Sequence, residues 1–181
     1  TIAPEAEFPT PNLPPQTGEY VSPAQWHAYY AQGIVISNVI HRRFTQSFPP
    51  PPPGGSAIHE FDSEVDMMVL TQGGIGWTRT IAPAHCQVRI TSLQDQDATR
   101  YFDTEMLALT IKGGDLPANV MIRESPTKAS TGRVSERGLV TESFMISSFF
   151  DVFTELSTDG GQTWQPSQTG PATVYLVRDL A

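Results

Sequence analysis

The segment Ser157-Thr158-Asp159-Gly160-Gly161-Gln162-Thr163-Trp164 satisfies S-x-D-x-G-x-T-W, the Asp-box pattern, at every specified position. A run of this kind closes on itself. The carboxylate of Asp159 accepts hydrogen bonds from turn amides, the glycines reach backbone angles closed to other residues, and the Trp164 ring folds over the turn. Ser157, Asp159, Gly161, Thr163 and Trp164 are therefore read as structural residues. They commit this part of the chain to a β-hairpin and say little about chemistry.

The rest of the chain agrees with that commitment. From Phe61 onward, short apolar or alternating segments are separated by Gly, Pro and Asp turns, the pattern of an antiparallel all-β domain. Strands are predicted over His59 to Leu70, His85 to Thr91, Glu105 to Ile111, Val120 to Glu124, Ser143 to Ser157 with a bend, and Thr173 to Val177. The β-branched run Ile34 to Ile40 reads as a further strand. Ahead of it, Ser22 as N-cap, Pro23 at the first helical position and Gly33 as terminator predict one short helix.

Residues 1–24 carry Pro4, Pro9, Pro11, Pro14, Pro15 and Pro23, a density that removes amide donors and favours extended backbone. This segment reads as a proline-rich arm: a poorly ordered tail or a strap on its own domain, or else an arm laid across a neighbouring subunit. In the second case Phe8, Leu13 and Tyr20 are its anchors. Pro49 to Pro53 followed by Gly54-Gly55 reads as a stiff exposed spacer.

An internal echo organises the remainder. Asp66 to Trp77 runs parallel to Asp151 to Trp164 with two gap positions, both ending in Gly-Gly-x-x-Trp, with Gln72 standing where Asp159 does. The expected fold is thus an antiparallel β-sandwich over residues 25–181, built of two related units at about 33–91 and 103–178, with coincidence in a turn-rich chain as the alternative. Two such units are too few for a propeller, which needs several four-stranded blades.

Composition removes several function classes. The formal charge of −8 over 181 residues disfavours nucleic acid and anionic lipid as partners, because both are bound by clustered Lys and Arg. No apolar run approaches the roughly 20 residues of a spanning helix. The chain starts at Thr1, which reads either as a processed chain from which an export signal has been removed or as a piece of a longer one. The single Cys86 cannot form an intrachain disulfide and reads as a small buried residue.

Chemistry is sparse. Glycoside hydrolysis requires paired carboxylates in a cleft, and Glu105, Glu124, Asp151 and Glu155 qualify by type alone, with solvent-facing strand positions explaining most of them. His27, His41, His59 and His85 lack metal-ligand spacing. Asp62 to Asp66 and Gln94 to Asp97 supply oxygens without the spacing of an EF-hand, so calcium is at most a structural ion and no cofactor is expected. No nucleophile elbow or phosphate loop is present. Arg123 reads as half of an ion pair with Glu105 or Asp151, or as a glycan or anion contact beside Trp164 or Tyr175.

Three blocks carry a resemblance: Arg100 to Leu107, Leu116 to Gly132, and Ser148 to Pro166. Together they resemble a pattern in uncharacterised secreted or surface β-proteins of environmental bacteria, planctomycetes among them, which often carry sorting tails. The resemblance covers about residues 100–176 and implies export and β-structure; it transfers no activity to any residue. The function expected from these readings is non-enzymatic: a secreted or envelope-associated structural or interaction protein, subunit or accessory of an assembly with other protein subunits or with itself. The alternative is a carbohydrate-binding module using exposed Trp and Tyr. Trp26, Trp77 and Trp164 discriminate, since burial of all three leaves no glycan platform.

Overall fold

The computed structural model describes residues 4–71 and 76–179. Gln72, on which the eroded half of the echo rests, lies outside the described residues. Among the described residues thirteen strands form one sheet in which every pairing is antiparallel.

Eight of these strands close into a ring. They are β2 (Gly18–Val21), β4 (Val35–Arg42), β5 (Ser56–Leu70), β6 (Thr78–Ser92), β7 (Thr99–Lys112), β9 (Ser130–Gly138), β10 (Phe144–Val152) and β13 (Ala172–Arg178). Each hydrogen-bonds to the next in that order, with β10 and β13 adjacent, and β13 returns to β2. The architecture is a closed barrel. This corrects the expected sandwich: two packed sheets would leave four edges, and here pairing of β13 with β2 removes the last ones.

Five short strands complete the wall. β1 (Ala6–Phe8) adds to the free edge of β10 and β3 (His27–Tyr29) to that of β4, while β8 (Met121–Glu124), β11 (Thr154–Ser157) and β12 (Gln165–Pro166) extend the sheet beyond β7. The strand expected over Ser143 to Ser157 is present and breaks at Phe153, between β10 and β11.

The expected helix does not form, and no helix occurs among the described residues. Ala28 and Tyr30 are buried, while His27 and Tyr29 face outward. That period of two suits a strand, and pairing of His27 to Tyr29 with Val35 to Ser37 satisfies their amides. Only the turn at Pro23, where Trp26 N donates to Pro23 O at 3.0 Å, keeps a helical echo.

The described part of the proline-rich segment lies as a strap on its own barrel, one of the readings expected for it. Phe8, Leu13 and Tyr20 are buried at 1%, 2% and 6% exposure inside their own barrel, so they cannot anchor a neighbour while so placed. Within that segment β2 is a wall strand, paired with β13 and β4. The two expected units occupy separate arcs, β4 to β6 and β7 to β13. They do not match strand for strand, because β9 separates β7 from β10 and nothing separates β4 from β5.

Inward positions alternate along the wall. Phe61 and Val65 of β5 lie opposite Cys86 and Ala82 of β6, Met67 of β5 and Val88 and Ile90 of β6 are buried in the same interior, and Phe102, Ile146 and Leu176 are sealed at 0% exposure. Each large apolar side chain so buried contributes about 1.5–3 kcal/mol.

Candidate functional site

The Ser157–Trp164 hairpin forms the closed turn expected of its residues. Ser157 Oγ donates to Asp159 Oδ1 at 2.7 Å and accepts from Gly161 N at 2.9 Å; Thr163 N donates to Asp159 Oδ1 at 2.9 Å, and Trp164 Nε1 to Gly161 O at 3.0 Å. Hydrogen bonds from Thr163, then Ser157, hold the Asp159 carboxyl down to about 2. Gly161 has φ +94°, a region closed to most side chains. These bonds are internal to the hairpin, which Gly160 N also ties to Asn119 O at 3.0 Å.

Arg123 pairs with neither Glu105 nor Asp151. Register places it opposite Glu155, and its Nη2 donates to Glu155 Oε1 at 2.7 Å, while the guanidinium stacks 4.1 Å from the centre of the Trp164 ring. Glu155 is accordingly an ion-pair partner with a side chain only 13% exposed, not a solvent-facing residue. Arg123 is spent holding the hairpin to β8.

The barrel interior carries an unusual number of polar groups. His41 Nε2 bonds Ser63 Oγ at 2.5 Å with Cys86 Sγ 3.8 Å away, and Tyr20 OH bonds Ser148 Oγ at 2.8 Å. Burial drives His41 down to about 4, the Cys86 thiol up to about 12 and Glu136 up to about 8, so all three are neutral at pH 7. His59 Nδ1 and Thr104 Oγ1 are buried without a protein partner. The voids beside these groups, about 30 and 70 Å³, have room for waters or a few atoms and not for a cofactor. Among the described residues no group of three or more His, Cys, Asp or Glu is placed to hold a metal ion, and no helix is long and apolar enough to cross a membrane.

The outer wall holds two features of a different kind. At one end of the barrel, His27 and Tyr29 of β3 point outward beside Trp77, which immediately precedes β6. The His27 ring lies 6.2 Å from Tyr29 at 29° and 5.6 Å from Trp77 at 56°. Tyr29 and Trp77 are 47% and 40% exposed, whereas Trp26 packs on the core and Trp164 lies under Arg123. The backbone beneath is pinned from both sides: β4 pairs one edge of β3, and from the other Gln168 N donates to Tyr29 O at 2.8 Å and Thr169 Oγ1 to His27 O at 3.0 Å. Two of the three rings thus stand on a strand held along both edges, a preorganised base for the platform.

Around the ring lies a depression of about 630 Å³ on the outer face of β6, β7, β9 and β10. Register sets Arg89, Glu105, Thr131, Asp151 and Thr173 in one outward row, and Thr91, Asp103, Arg133, Phe149 and Tyr175 in the next. Thr131, the short side chain at the centre of the first row, makes the hollow. Glu105 also borders a smaller pocket with Glu124, whose carboxyl is raised to about 7 chiefly by burial. Glu124 faces the interior, accepting from Ser130 Oγ at 3.1 Å, while Glu105 faces out. Both line that pocket, and the Glu105 charge adds to the rise at Glu124.

Sequence reading named Trp77 without its neighbours, because a helix over 23–32 disperses His27 and Tyr29 around an axis. It missed Arg133 and Phe149 because only cross-strand register sets them side by side. Alternation of buried Ala28 and Tyr30 with His27 and Tyr29 was the signal available for the first. No protein-family model, curated protein or solved structure matches the chain.

Proposed function

We propose that the protein is a non-catalytic carbohydrate-binding barrel that holds polysaccharide on the Tyr29, His27 and Trp77 platform. The exposure of Tyr29 and Trp77 on either side of the His27 ring, which contacts both, is the observation that carries the reading. Clustered aromatic faces left in water are costly unless a ligand covers them, and the apolar C–H faces of sugar rings suit aromatic π-faces. A net charge of −8 favours a neutral polymer over nucleic acid or an acidic one. Export to an extracellular or envelope location fits such a ligand.

The test is affinity electrophoresis and calorimetry with soluble neutral polysaccharides. Trp77→Ala and Tyr29→Ala should each weaken binding by about tenfold, equivalent to about 1.4 kcal/mol, without shifting the melting temperature by more than a degree or two. Retention of full affinity by both variants sinks the reading.

A second reading keeps the protein as a subunit of an extracellular assembly. Half-buried Val35, Met68 and Leu70 beside the platform favour it, since an apolar surround suits a protein partner. Light scattering separates the two: an assembly subunit is oligomeric, and Trp77→Ala lowers its mass.

A further inference from the structure

We infer that the depression over β6, β7, β9 and β10 is a second saccharide site, so that one copy of the chain bridges two polysaccharide strands. The inference rests on the carbohydrate reading of the platform and extends it to the opposite part of the wall.

The hollow is lined by planar polar side chains that retain bonding capacity. Arg89 and Glu105 are 3.7 Å apart, too far for a hydrogen bond. Arg133 spends both of its contacts, at 3.2 and 3.3 Å, on Asp103 Oδ1, and Asp151 Oδ1 accepts from Thr173 Oγ1 at 2.5 Å. Asp103 and Asp151 thus each offer a second carboxylate oxygen, and the guanidinium groups keep further N–H donors. These arms surround Thr131, with the half-buried rings of Phe149 and Tyr175 alongside. Adjacent donors and acceptors on planar groups, next to aromatic faces, match the vicinal hydroxyls and C–H faces of a sugar.

Charge and extent narrow the ligand. Two guanidinium groups among three carboxylates oppose both a polyanion and a polycation, which leaves a neutral polymer. Five strands at about 4.8 Å spacing give a row roughly 19 Å long, enough for several sugar rings. The platform and the hollow cannot share one ligand segment. Trp77 precedes the start of β6 and Arg89 lies near its end, and the two sites occupy different arcs of the ring.

The experiment uses the whole chain with soluble galactomannan, xyloglucan and mixed-linkage β-glucan, reading affinity by electrophoresis and cross-linking by light scattering. Thr131→Tyr fills the hollow from an exposed position, and the isosteric pair Asp103→Asn with Asp151→Asn covers the case in which Thr131→Tyr fails to fold. Wild type should bind and cross-link one of these polymers. Both groove variants should lose cross-linking and bind about tenfold more weakly through the intact platform, and adding Trp77→Ala should abolish binding. Groove variants that cross-link like wild type overturn the second site and leave the platform standing. If only groove variants lose binding while Trp77→Ala is silent, the platform falls and the groove remains as a single site, which overturns the bridging. Wild type that binds none of the three polymers overturns both.

Discussion

The guanidinium of Arg123 lies 4.1 Å from the centre of the Trp164 ring while its Nη2 holds Glu155 at 2.7 Å. One side chain thereby ties the end of the hairpin to β11 and β8. Stacking of this kind is worth about 0.5–2 kcal/mol depending on desolvation. Removal of Arg123 also leaves Glu155, 13% exposed, without its counter-charge. Arg123→Ala should therefore cost about 2 kcal/mol in urea unfolding. A double-mutant cycle with Trp164→Ala should return a coupling of about 1 kcal/mol. Coupling near zero would mean that the two side chains merely coexist.

Asp159 gives the same hairpin a pH signature. Its folded carboxyl sits at about 2 against an ordinary 3.8, so the folded state prefers the ionised form. That contribution is complete above the ordinary value and disappears as pH falls through about 2, because the unfolded chain takes up the proton first. Wild type should lose stability between about pH 4 and 2 more steeply than Asp159→Asn. Parallel melting curves for the two proteins over that window would remove the hydrogen-bonded carboxylate as the cause.

Gly132 marks the tightest point of the wall. A Cβ built there would stand 1.9 Å from the carbonyl oxygen of Phe149 and 2.9 Å from Thr104 Oγ1, and the first of these is backbone that cannot rotate away. Gly132→Ala must therefore push β9 and β10 apart along the seam that pairs Gly132 with Phe150. The expected cost is about 3 kcal/mol or more, read as a lower urea midpoint or as loss of soluble protein. A midpoint within experimental error of wild type would show that the seam yields freely.

The strands of β5, β6, β7 and β13 were legible because their apolar residues alternate over long runs, and the hairpin because its bonding is local to eight residues. Closure was not legible. It depends on Gly18 to Val21 meeting Tyr175 to Arg178, and on Ser130 to Gly138 bridging β7 and β10. Neither segment has a sustained apolar pattern, and the first sits among prolines that read as an extended arm. A contact such as Tyr20 OH with Ser148 Oγ spans 128 positions and leaves no trace in local periodicity. The same holds for the candidate sites: Trp77 was visible as a residue, whereas its cluster with His27 and Tyr29 needs β3 to exist first. The hollow around Thr131 exists only once four strands are in register.

Glu136 gives the sharpest view of the interior. It is 3% exposed, its Oε2 has no partner, and burial raises its carboxyl from 4.5 to about 8. A raised carboxyl favours the protonated folded state, so its contribution is fully present below about 4.5 and is lost as pH rises to about 8, where the unfolded chain holds fewer protons. Glu124, raised to about 7, acts in the same direction. His41, lowered from 6.5 to about 4 by burial, acts oppositely and weakens the fold as pH falls across that range. Only a difference between proteins isolates Glu136. Glu136→Gln retains size and cannot ionise, so its stability relative to wild type should grow from pH 5 to pH 8 in paired urea titrations, with Glu124 and His41 cancelling. A stability gap independent of pH would place the Glu136 carboxylate in contact with water or with the Arg100 charge strongly enough to ionise normally.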